Sequence, residues 1–190
     1  MEITNIRHHR IRWRRLAALG AGAGLVGALV MLLISMATMP LLTDGDAWTF
    51  PKVISGALLG SDAATPLTGF ESGPVIVGLV LQLVIGAIVG AIYGVLVAMF
   101  DLEGWTPVTL FGLIFGATTF VTIVSIISAT VAADSVEALP IIATFWGSIA
   151  FGLTAGAVLA RWADRSDLDQ DTTERVGAFE GDEVRTDLPR

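Results

Sequence analysis

The chain has 190 residues, of which 54% are hydrophobic and 15% charged, with a mean hydropathy of +0.74 and a formal net charge of -7. Soluble domains carry about 25% charged residues, so the composition points to a membrane protein. There is no cysteine, which excludes a disulfide framework, a thiolate zinc site and cysteine nucleophilic chemistry.

Residues 1–15 form a basic N-terminal segment that includes "RHHRIRWRR". The apolar block that follows, 16–39, exceeds the roughly 7–15 residues of a signal-peptide core and reads as a retained span. The loop from Pro40 to Pro74 contains "TFPKVISGALLG". There Phe50, Val53, Ile54, Ala57 and Leu58 recur at helical spacing, Thr49 can cap the start, Pro51 suits a first turn and Gly60 can close the end. The segment predicts a short amphipathic helix over 49–59 lying at the outer interface as a lid. Its Lys52 is expected to snorkel rather than to form a dyad with Ser55.

Three further blocks without charge follow, 75–99, 108–133 and 139–160, each meeting the roughly 20 residues needed to cross a ~30 Å hydrocarbon core. The turn "DLEGWTP", with breakers Gly104 and Pro107, joins the second and third as a hairpin. Residues 161–190 are rich in charge and poor in apolar residues, which predicts a disordered acidic tail. The expected fold is therefore all-α and polytopic, with a four-helix transmembrane domain over 16–160. Arg7, Arg10, Arg12, Arg14 and Arg15 precede the first span and Arg161 and Arg165 follow the fourth, whereas the opposite loops hold only Lys52. The Arg-rich side should be cytoplasmic, placing both termini inside the cell membrane. Trp13, Trp48, Trp105 and Trp162 fall at expected interfacial depth.

Gly78, Gln82, Gly86, Gly90 and Gly94 are each four apart and form one stripe on a helix. Ser148, Gly152 and Gly156 repeat it on the fourth span, and Gly112 and Gly116 on the third correspond to Gly20 and Gly24 on the first. Aligning Gln82 with Ser148 gives an offset of 66 residues and Gly20 with Gly112 one of 92, as in two hairpins of one design arranged in parallel. Small residues at every fourth position let helix backbones approach in lipid. Gly78, Gly86, Gly90, Gly94, Gly112, Gly116, Ser148, Gly152 and Gly156 are thus the candidate packing residues of a glycine-zipper seam. Gln82, Thr118, Thr122, Ser125 and Ser148 are the candidate lining of a weakly polar cavity.

This glycine spacing, the opening span "GLVGALVM" (Gly24 to Met31) and the Pro-containing outer segment resemble a family of small four-helix prokaryotic integral membrane proteins of unknown function. The likeness covers Ala18 to Arg161 and implies a fold and a membrane location, but no reaction. Members of that family often carry His where Gln82 and Ser148 stand here, so a His-dependent role does not carry over.

No acid, base or imidazole lies inside any expected span, so a proton relay, an intramembrane aspartyl dyad and axial haem ligation by His lack their chemical groups. His8 and His9 are adjacent and have no evident third ligand. No catalytic residue, metal or cofactor is expected. The partners expected are the lipid bilayer and, beyond it, a second copy or another membrane protein, with no nucleic acid. Two uses remain open: a non-enzymatic structural or accessory component, or a small channel or carrier for a neutral solute.

Overall fold

The computed structural model of the chain describes residues 2–60, 62, 66, 68–130 and 141–183. Among the described residues there are five helices and no strand: α1 (Glu2–Leu42), α2 (Thr49–Leu59), α3 (Ser72–Met99), α4 (Trp105–Thr130) and α5 (Ile141–Glu183). Among the described residues, two stretches are long and apolar enough to cross a membrane, Arg12–Leu42 and Ser72–Met99. At 1.5 Å per residue, the second alone rises about 42 Å. The expected boundaries within 131–140 fall outside the described residues.

α1 occupies the middle of the molecule. It packs against α3 on one side and α5 on another, and α5 in turn carries α4. α3 and α4 scarcely meet. Two buried apolar clusters divide the interior. The basal one, near the turn between α3 and α4, centres on Leu16, Tyr93, Val97, Val108 and Leu159. The apical one, near α2, centres on Ala28, Met31, Met39, Phe50 and Phe151.

Polar contacts shape the apical end. Pro40 lies inside the last stretch of α1 and cannot donate a backbone hydrogen bond. The helix finishes with Thr43, whose N–H and hydroxyl both donate to Met39 O at 3.0 and 2.8 Å. Asp46 then organises the start of α2, its Oδ1 accepting the Trp48 N–H at 2.9 Å and the Thr49 hydroxyl at 3.3 Å. Gly60 closes α2 at φ 90°, with its N–H donating to Gly56 O at 2.9 Å. A β-carbon is strained at that φ, so glycine suits the position.

α2 occupies the expected residues but not the expected surroundings. Its Thr49, Phe50, Pro51, Lys52, Val53, Ser55 and Gly56 are buried, and it packs against α3. Lys52 does not snorkel. Its side chain is fully buried, and Nζ donates to Pro66 O at 2.5 Å, Gly69 O at 3.3 Å and Thr68 O at 3.5 Å, with the Glu71 carboxylate 3.7 Å away. The ammonium draws the returning chain over itself because a buried charge must collect acceptors. The Ser55 hydroxyl instead donates to the Lys52 carbonyl at 2.7 Å, so the two side chains turn to different partners.

The segment 161–190 differs too. Expected to be disordered, it continues α5 as far as Glu183, and residues 184–190 lie outside the described set. An already nucleated helix gains one hydrogen bond per added residue, and no proline interrupts the sequence between Pro140 and Pro189.

Lys52→Met should lower the melting temperature in detergent and expose the 66–71 segment to protease, since each buried acceptor left unpaired costs about 1–3 kcal/mol. An unchanged digestion pattern would refute the role given to Lys52.

Burial acts to raise the pKa of Asp46, but the N–H groups of Gly69 and Trp48 and the Thr49 hydroxyl outweigh it and hold the carboxyl below its usual value. A depressed carboxylate stabilises the fold fully above its unfolded pKa, about 3.9, and loses that contribution as pH falls through the folded value. The melting temperatures of the parent and Asp46→Asn should therefore differ near neutral pH and converge below about pH 4. A gap that persists in acid would count against the carboxylate.

Candidate functional site

What lies against the α3 stripe is the backbone of its neighbours. A β-carbon placed on Gly94 would strike the Leu16 carbonyl, and one on Gly90 the Gly20 carbonyl, with Gly24 Cα 2.5 Å away. On Gly86 it would collide with the Ala28 Cβ and stand 3.0 Å from Gly24 O. Leu16, Gly20, Gly24 and Ala28 are themselves spaced by four, so α1 presents a matching stripe and the two helices cross with nothing between their main chains. Gly78 faces something else. Its missing side chain is the space taken by the Pro51 carbonyl of α2.

The α4–α5 pair makes the same crossing. A β-carbon on Gly152 would meet the Gly112 carbonyl, with Gly116 Cα at 2.8 Å and Gly116 N at 2.9 Å. For Gly90 the corresponding atoms are the Gly20 carbonyl, Gly24 Cα at 2.5 Å and Gly24 N at 2.8 Å. Gly156 meets the Val108 carbonyl where Gly94 meets that of Leu16. Contact by contact, α4 corresponds to α1 at a separation of 92 residues (20 to 112, 24 to 116). α5 corresponds to α3 at 62 residues (90 to 152, 94 to 156). The second separation corrects the expected offset of 66. A stripe spaced by four aligns almost as well when slid one step, and only the partner's backbone fixes the register.

Between the two pairs, correspondence fails. α1 approaches α5 where a β-carbon on Gly22 would stand 2.8 Å from the Trp162 ring, one on Gly27 2.9 Å from Phe151 and one on Gly147 3.3 Å from Met31. The same separations carry Gly22, Gly27 and Gly147 onto Ile114, Thr119 and Ile85. None of these counterparts is a glycine, and α3 and α4 scarcely meet. Tyr93, which corresponds to Ala155, reaches across between them. The chain has a single tyrosine, and its ring is fully buried beside Phe111 and Phe115, with centroids 5.8 and 5.1 Å away. Its hydroxyl donates to Val108 O, giving the buried phenol the partner it needs.

The polar candidates are dispersed. Gln82 is buried in the α1–α3 crossing with Nε2 3.6 Å from Met31 Sδ. Ser148 is buried on α5, its hydroxyl donating to Thr144 O at 3.0 Å. Thr118 and Thr122 are exposed on α4 and donate to Ile114 O and Thr118 O of their own helix, at 2.9 and 3.1 Å. The Ser125 side chain lies outside the described residues, as do those of His8 and His9. Among the described residues no group of three or more His, Cys, Asp or Glu could hold a metal ion.

No protein-family model matches the chain, and no curated protein and no solved structure matches it either.

Tyr93, Ser35 and the charged groups at the basal end are not among the residues that the sequence pattern singles out as a site. Tyr93 carried a signal, because a lone phenol inside an apolar span must find an acceptor. Ser35 is 2% exposed and its hydroxyl has no partner; nothing in its sequence context marks it. At the basal end a cavity of about 350 Å³ opens between α1, the α3–α4 turn and α5, with Arg12, Arg15, Glu103 and Asp164 at its walls. Arg12 also bonds Asp101 at 2.5 Å and Glu103 at 3.2 Å, tying that turn to α1.

Gly90→Ala and Gly152→Ala should each destabilise the protein in detergent by about 1–3 kcal/mol, because overpacking against backbone exceeds the roughly 1 kcal/mol gain in helix propensity. Gly73→Ala, whose β-carbon would meet nothing within 4 Å, should be neutral or slightly stabilising. Thermal melts of all three would test the crossings, and equal melts for Gly90→Ala and Gly73→Ala would refute them.

Proposed function

We propose that the chain is a non-enzymatic integral membrane protein, a structural or accessory component in which four helices cross the bilayer as two parallel repeats of one hairpin. Glycine-mediated packing, a zipper in each hairpin, holds the bundle together, and the Arg-rich basal end with both termini faces the cytoplasm of a prokaryotic cell. The observation that carries this reading is the double crossing: the glycine stripes that could have lined a passage are filled by neighbouring backbone. Helices in lipid gain little from apolar burial and depend on such close contact. The resemblance to small four-helix membrane proteins of unknown function agrees with it.

The buried, unpartnered Ser35 hydroxyl and the nearby buried Gln82 and Ser148 favour a second reading, a narrow path for a neutral solute. Liposome swelling with a panel of small neutral solutes separates the two. The structural reading expects no flux above empty liposomes, and Gln82→Leu should shift stability by no more than about 1–2 kcal/mol. Flux through the parent protein that is lost in Gln82→Leu would overturn it, since an apolar constriction closes a narrow pore by dewetting.

Orientation is checked with Ser61→Cys and Ser166→Cys in intact cells. An impermeant thiol reagent should label the first, and preferential labelling of the second would reverse the topology.

A further inference from the structure

The two helix pairs are joined to each other by other means than those that hold each pair together. Within a pair the contact is backbone on backbone, the Gly20 carbonyl against Gly90 and the Gly112 carbonyl against Gly152. Main chains packed so closely move as one body. Between the pairs, α1 meets α5 through side chains set over glycines, the Trp162 ring over Gly22 and Met31 over Gly147. Such contacts survive small rotations, because side chains can follow by changing rotamer. At Gly27 the Phe151 carbonyl also comes close, which provides a pivot.

Ser35 lies on the same surface. Its hydroxyl is buried without a partner, and a β-carbon on Gly147 would stand 3.5 Å from it. An unpaired buried hydroxyl is disfavoured, so the observed seating of α5 on α1 leaves a polar group that a shifted seating can satisfy.

On the opposite side Tyr93 closes the gap. A β-carbon on Gly112 or on Gly156 would stand 3.2 Å from its hydroxyl oxygen, so the phenol of α3 enters a socket left by two glycines of the α4–α5 crossing and donates there to Val108 O. The α1–α3 crossing receives no such side chain. Around the counterparts Gly20 and Gly94 the nearest atoms are all backbone, and Ala155, which corresponds to Tyr93, is too short to reach them.

We propose that the molecule opens sideways as two rigid halves, α1–α3 with α2 and α4–α5, pivoting on the α1–α5 contact, and that Tyr93 is the latch between α3 and α4. Opening parts these two helices upward from their shared basal turn and uncovers Phe115. Nothing in this geometry depends on a surrounding membrane, so the latch stands or falls apart from the membrane reading.

Pulsed electron paramagnetic resonance on the full chain in detergent tests it. The chain has no cysteine, so nitroxide labels attach only where a cysteine is introduced. Ile76→Cys with Thr122→Cys spans the opening, and Ile76→Cys with Leu33→Cys lies within one half, all at exposed positions. Tyr93→Phe keeps the ring and loses the hydroxyl. It should raise the ratio of longer to shorter distances between positions 76 and 122 about fivefold, the effect of one neutral hydrogen bond, and in Tyr93→Leu the longer distance should predominate. The distance between positions 76 and 33 should be the same in parent and variants. An unchanged 76–122 distribution in Tyr93→Phe and Tyr93→Leu would overturn the proposal. So would broadening of both distances together, since that is general loosening and not the release of a latch. Should Tyr93→Leu fail to fold, Tyr93→Phe decides alone by the same two distances.

Discussion

Contact between bare helix backbones is the constraint on which this molecule depends. In a bilayer, leucine gains nothing by leaving lipid for protein, so helices hold together only where their surfaces fit closely enough for dispersion and weak polar contacts to add up. Gly20 and Gly24 against Gly86, Gly90 and Gly94 provide such a surface, and Gly112 and Gly116 against Gly152 and Gly156 provide it again. The large exposed side chains Ile76, Val80, Val84, Ile88 and Ile92 form the opposite face of α3. That division fits a helix with glycine turned inward and branched residues turned toward lipid.

Two equal pairs need not assemble symmetrically. Gly22, Gly27 and Gly147 leave room for large side chains between α1 and α5, whereas their counterparts Ile114, Thr119 and Ile85 are not glycines and α3 and α4 scarcely meet. Tyr93 bridges the wider side with one hydrogen bond and ring contacts to Phe111 and Phe115. The arrangement is a ring of helices closed firmly on one side and loosely on the other.

Much of this was legible in the sequence, and the failures are instructive. The four-residue spacing identified the packing face of α3 because glycine inside an apolar span has little purpose except proximity. The register of the repeat was not legible, since sliding by one turn preserves the pattern and the deciding atoms belong to a helix far away in sequence. α2 was legible as a helix from Pro51 and Gly60, but Thr49 is not its cap: it is the first helical residue, and Trp48 stands at the N-cap with no side-chain hydrogen bond. The burial of α2 was not legible, because a lone lysine in an amphipathic segment normally keeps its charge in water, and the acceptors that make Lys52 an exception arrive 14 to 17 residues later. The acidic segment after Ala160 misled by composition alone, because disorder is judged segment by segment whereas a helix already under way propagates.

The central position of α1 bears on how the chain is made. It leaves the ribosome before the helices it packs against: its contacts come from α3, about 70 residues on, and from α5, well over 100 residues on. The α1–α3 crossing can form as soon as Met99 has emerged, and Gly78 is then free to receive α2. α5 reaches its seat on α1 only after α4 has been synthesised, so until then Gly22 and Gly27 are open to other apolar surfaces. Assembly thus passes through a half-built molecule with one face uncovered, and the delay between the two events is set by the translation time of the second helix pair.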